Sequence, residues 1–215
     1  MTFLVVLIGW VFSLCLHEFS HALVAYYGGD TTVRDKGYLT FNPLKYTHPV
    51  YSLLLPLLFL MLGGIGLPGG AVYIETWRLR SKGWVSAVSL AGPTANLILA
   101  IILGIVFSVA PVTSSGIWPG LAFLAFLQVS ALVLNLIPLP PFDGFGALQP
   151  HLPASIRANM AQVSGMLPFV VFFLLWYVPV VNNAFWGLVV FLVHLVGIPL
   201  DLVQLGLRGF QFWVR

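Results

Sequence analysis

The stretch FLVVLIGWVFSLCLHEFSHALVAYY, Phe3 to Tyr27, decides how the rest of the chain is read. An apolar helix needs about 20 residues to cross the hydrocarbon core of a bilayer, and this run is long enough. Gly28-Gly29-Asp30 closes it. Inside it stand His17, Glu18 and His21, 6 to 10 residues from Tyr27, which places them on the order of 9–15 Å below the helix end. A carboxylate at such a depth costs roughly 2.5–3.5 kcal/mol or more and is retained for a function. A discarded signal peptide needs no such residues, and this run lacks a basic leader, so it is read as a permanent span.

Working outward, the whole chain has the same character. It is 60% hydrophobic and 7% charged, and 215 residues cannot hide that much apolar surface in one soluble core. Further crossings are expected at Val85 to Ala110, Ile117 to Ile137, Val163 to Val181 and Ala184 to Leu207. Thr31 to Pro49 alternates like a short hairpin, and Ala71 to Ile74 reads as a brief strand. Val50 to Leu62 is short, contains Pro56 and dissolves into glycines, so Val50 to Pro68 is read as a re-entrant segment. With it re-entrant, all nine Lys and Arg residues fall on one membrane face; with it crossing, they split six against three. The positive-inside rule selects the first arrangement, with five crossings, the N-terminus outside and the C-terminus in the cytosol. The expected architecture is an all-α polytopic membrane protein, about five transmembrane helices plus a re-entrant loop with a short β element, in one domain. A net charge of +3 follows from membrane orientation, and no solvated basic domain stands ready for nucleic acid. Cys15 is the only cysteine and cannot form an intramolecular disulfide.

His17-Glu18-Phe19-Ser20-His21 is an H-E-x-x-H sequence. Histidines at i and i+4 share one helix face and converge on one zinc ion, and the adjacent glutamate takes a proton from metal-bound water. Alternatively the cluster is polar glue between helices, although gluing does not require this spacing. Catalytic zinc wants a third protein ligand and an open position. Asp143, after the proline break of Asn135 to Gly144, is either that ligand or a helix N-cap.

The H-E-x-x-H helix, Ala91-Gly92-Pro93-Thr94-Ala95-Asn96 and Asn135 to Gly144 together resemble the site-2 protease family of intramembrane zinc metalloproteases, in the family's order and over about Phe3 to Leu148. The resemblance implies one zinc ion held by His17, His21 and Asp143, with Glu18 catalytic and Asn135 stabilising the oxyanion or holding substrate. It implies a core over residues 3–148 with accessory helices over 163–207. It also implies that the loop Gly63 to Ile74, with Gly69, Gly70, Ala71, Val72 and Tyr73, engages a membrane-embedded protein or peptide substrate. The site would open toward the cytosol, as in a prokaryotic cytoplasmic membrane. Departures lie near His48 and at Glu75-Thr76, where compact relatives carry an acidic residue and an Asn-Pro pair, and no PDZ-like insert stands in the chain.

His194, Asp201 and Arg208 recur every seven residues and are read as a polar seam on the last crossing, or as a second metal or proton path. His48 and His151 read as solvated loop histidines. A metal transporter would show a path of ligands and repeated halves, neither of which is present. A non-catalytic scaffold would not need Glu18.

Overall fold

In the computed structural model, residues 1–46, 72–211 and 213 are described; the expected re-entrant run, His48, Gly69, Gly70 and Ala71 lie outside them. The described chain is all-α. Helix α1 spans Thr2–Gly28, α2 is a single turn over Thr32–Asp35, α3 spans Lys82–Val109 and α4 Trp118–Asn135. Then come α5, Asp143–Leu148, α6, Ala154–Val163, α7, Leu167–Tyr177, α8, Pro179–Leu195, and α9, Leu200–Phe210.

Helices α1, α3 and α4 are long and apolar enough to cross a membrane. Of the two further expected crossings, Val163 to Val181 falls on α7 and the first residues of α8, and Ala184 to Leu207 is broken between α8 and α9. A bend of 71° separates α6 from α7, and one of 117° separates α8 from α9, so among the described residues three to five spans are long and apolar enough to cross. Gly197, at φ +82°, takes the left-handed turn between α8 and α9, and Pro199 fixes the exit. That bend removes the seam: His194 sits on α8 while Asp201 and Arg208 sit across the corner on α9.

No strand occurs among the described residues. Of the hairpin expected over Thr31 to Pro49, the described part, residues 31–46, forms turns instead, because side chains satisfy the backbone locally. Asp30 accepts from the Thr32 amide and hydroxyl, and Asn42 accepts from the Leu44 amide to start the 3-10 turn Pro43–Lys45. The chain then lies along α1 instead of pairing with itself. Phe41 stacks on Phe12 and Phe19, and the Tyr46 hydroxyl donates to the Thr40 carbonyl. Val72 to Ile74, expected as a strand, is irregular chain leading into the 3-10 turn Thr76–Arg78.

Helix α4 is the most enclosed, packed among α1, α3, α8 and α9. Lipid tails are as apolar as leucine, so burial gives little drive here and close packing decides. Small residues supply it: a methyl group on Gly120 would meet Val5 at 3.0 Å, and one on Gly206 would overlap the Pro119 carbonyl. At the start of α1, Phe3 stacks on Phe210 at 5.3 Å and meets Trp213 edge-on at 6.2 Å. The end of α9 therefore lies beside the N-terminus of α1, not at the opposite face as five straight crossings require. The other end of the bundle gathers the C-terminus of α1, the N-terminus of α3 and the loop after α4, tied where the Arg80 amide donates to the Gly28 carbonyl.

Candidate metal centre

His17 and His21 lie one turn apart on the buried face of α1. Their Nε2 atoms are 3.0 Å apart, and Asp143 Oδ2 stands 3.3 Å from the first and 3.5 Å from the second. Ligands around a tetrahedral ion with bonds of 2.0–2.1 Å stand about 3.3 Å from one another, so the triangle has the size that zinc requires. Asp143 Oδ2 is buried without a hydrogen-bond partner among the described residues. Such an oxygen is costly unless it meets a cation. Two imidazoles and one carboxylate, with a side left open, are the donor set of a catalytic zinc site.

Three elements build this geometry. The i, i+4 spacing of α1 aims both rings at α3, where Gly92 has no side chain; a Cβ there would collide with both Nε2 atoms. The His21 Nδ1 lies 2.6 Å from the Val88 carbonyl, which can only accept, so the proton sits on Nδ1 and Nε2 keeps its lone pair. His17 Nδ1 lies 2.6 Å from Asn96 Oδ1. After α4 the chain turns through its prolines and returns Asp143 as the first residue of α5. Asp143 is indeed near a helix start, but its carboxylate faces the histidines and makes no cap bond.

Glu18 is buried beside the triangle, and its Oε2 accepts from the Val72 amide at 3.2 Å. A cleft of about 560 Å³ opens here, lined by His17, Glu18, His21, Tyr73, Asn135 and Asp143 among others. The structure thus brings together His17, Glu18, His21, Asn135, Asp143, Val72 and Tyr73. His151 and His194 stand apart, the former beside the Ser86 hydroxyl on the surface.

The strap Val72 to Glu75 is pinned from one side. Asp30, with no exposed surface, accepts from the Glu75 amide at 2.7 Å. Lys36 donates to the Tyr73 carbonyl at 3.2 Å and to Glu75 Oε1 at 2.9 Å, and Arg78 donates to Glu75 Oε2. These hydrogen bonds, first from Lys36 and then from Arg78, hold the Glu75 carboxyl below its ordinary range. Asp30 contacts the strap and Asn96 contacts His17, and the sequence reading assigned neither contact. A carboxylate directly after a Gly-Gly helix end was the one available signal for Asp30.

No protein-family model and no solved structure matches the chain. Curated relatives do. The zinc metalloprotease Rip2 of Mycolicibacterium smegmatis is 47% identical over 212 residues, covering 98% of this chain and 81% of the relative. Rip2 of Mycobacterium tuberculosis strain H37Rv is 45% identical over 215 residues with the same coverage. The zinc metalloprotease YwhC of Bacillus subtilis is 31% identical over 194 residues, covering 82% of this chain and 81% of its own. Likeness of this extent, over a chain whose buried ligand triangle has the dimensions of a zinc site, makes the protein a member of the site-2 protease-like family of zinc metalloproteases.

Proposed function

We propose that the protein is an intramembrane endopeptidase, hydrolysing peptide bonds within or near transmembrane segments of membrane-protein substrates, with His17, His21 and Asp143 as ligands of one zinc ion. The observation that carries this reading is depth. His21 and His17 lie 7 and 11 residues before Gly28, the end of a 27-residue apolar helix, about 10–17 Å along its axis. A protease meant for soluble chains has no reason to bury its centre there.

A zinc ion held by His17, His21 and Asp143 would supply Lewis acidity and make a water bound to it more acidic. Glu18 takes a proton from the attacking water and returns it to the leaving nitrogen. Asn135, buried at the end of α4 in the cleft wall, donates to the oxygen on which charge develops. A helical substrate hides its carbonyls in its own hydrogen bonds, so it must be unwound before attack. The strap at Val72 and Tyr73, with Gly69, Gly70 and Ala71 outside the described residues, offers backbone to which an extended peptide adds. Arg34, Lys36, Arg78, Arg80 and Lys82 cluster at the cleft end of the bundle, which supports a cytosolic opening in a multi-pass protein.

The test is cleavage of a single-span peptide co-reconstituted in liposomes. Wild-type protein is expected to cut inside the span, and Glu18→Gln to lose turnover by at least a hundredfold while holding near one zinc per chain. Cuts confined to the water-exposed tails would overturn the intramembrane assignment. Turnover retained by Glu18→Gln would overturn the general base.

A further inference from the structure

A run of buried polar side chains crosses three helices from the centre of the bundle to the metal centre. Ser13 on α1, Gln128 on α4 and Asn96 on α3 are respectively 5%, 1% and 6% exposed. The Ser13 hydroxyl donates to the Trp10 carbonyl at 2.8 Å. Gln128 Nε2 donates to Ser13 Oγ at 3.0 Å, Asn96 Nδ2 donates to Gln128 Oε1 at 3.1 Å, and Asn96 Oδ1 stands 2.6 Å from His17 Nδ1.

The run has a direction, and the backbone sets it. A carbonyl only accepts, so the Trp10 oxygen takes the single hydrogen that Ser13 owns. Ser13 is then left as an acceptor, and Gln128 must turn its NH2 toward it. The Gln128 oxygen consequently faces Asn96, whose NH2 answers it, and the Asn96 oxygen is left facing the imidazole. An amide oxygen carries no hydrogen, so His17 must hold its proton on Nδ1. Its Nε2 lone pair is thereby turned to His21 and Asp143. His21 obtains the same tautomer in one step from Val88; His17 obtains it through three side chains.

We propose that Gln128 and Ser13 are positioning residues for the zinc: with Asn96 they form a directed relay that selects the tautomer of His17 able to bind metal. Without Gln128, nothing stops the Asn96 amide from rotating its NH2 toward the ring, which puts the proton on Nε2 and blocks the ligand. The outer partners of metal-bound histidines typically change affinity by about 10–100-fold when removed. This inference rests on His17 being a zinc ligand.

The experiment uses the full chain in detergent micelles, with zinc affinity measured by chelator competition and nitrogen NMR of labelled histidine on the metal-free protein. Gln128→Met keeps the volume and removes the polarity; Ser13→Ala removes only the hydroxyl. Both are expected to weaken zinc binding about tenfold and to turn the single Nδ1–H form of His17 into a mixture of tautomers, with the metal-free protein still folded by circular dichroism. Unaltered zinc affinity in both variants, or a single Nδ1–H tautomer persisting in Gln128→Met, overturns the relay. His17→Ala is run beside them: zinc binding unchanged in that variant would overturn the ligand assignment itself, a failure distinct from that of the relay.

Discussion

At Gly92 the imidazoles of His17 and His21 lie against helix backbone, in space that any side chain would fill. Gly92→Ala is therefore expected to weaken zinc binding by more than tenfold in a chelator competition, as is Asp143→Ala, which deletes the third donor. Gly83→Ala, on the same helix, serves as the control, since its new methyl would meet only the Ser81 oxygen at 3.6 Å. The grouping of His17, Glu18 and His21 was legible in the sequence because their spacing is a helical turn and a carboxylate at their depth has a large energetic cost. Asp143 stood out because acidic residues are so few in this chain. Gln128 was not legible: a lone glutamine in an apolar helix has no local pattern, and its partners are Asn96 and Ser13, 32 and 115 residues away. Gly92 stands within Ala91 to Asn96, and nothing in its sequence neighbours says that it contacts the imidazoles of His17 and His21.

Among the elements, the strap answers to pH. Glu75 has its carboxyl lowered by Lys36 and Arg78, so its contribution is present above the ordinary carboxylate value of about 4.3 and is lost as pH falls through the lower folded value. At neutral pH, Glu75→Gln should raise amide exchange over residues 72–78 relative to wild type. The difference should vanish once pH drops below the folded value, and a difference surviving there would remove Glu75 as the pin. The corner between α8 and α9 shows a different kind of legibility. Val196-Gly197-Ile198-Pro199 carries both a left-handed glycine and a helix-stopping proline. Apolar character on both sides hid it, because hydropathy measures length and not direction. The hairpin expectation failed for the reverse reason: the alternation in Thr31 to Pro49 is real, but Asp30 and Asn42 capture the amides that a ladder would use.

For the molecule as a whole, the decisive quantity is which end of the bundle each loop occupies. Lys36 bonds to Tyr73 and Glu75, a few residues before Lys82, so both lysines lie at the cleft end. A methyl on Gly209 would meet Thr2 at 3.2 Å, which puts Arg208 at the far end. In a Cys15→Ala background, single cysteines at positions 36 and 82 are expected to react with an impermeant reagent from one side, and those at 114 and 208 from the other. Labelling of 208 together with 36 would restore a straight last crossing. The strap has a mechanical consequence as well. Val72 hangs from Glu18 and Glu75 from Asp30, so strap, base and both histidines ride on a single carrier, while Asp143 arrives on α5. Any displacement of α1 relative to α5 would change the separation between the histidines and Asp143. A zinc ion held by His17, His21 and Asp143, as proposed, would tether the two through bonds of about 2 Å. Spin labels at the exposed positions Tyr27 and Leu148 should report a narrow separation with zinc bound and a broad one after chelation.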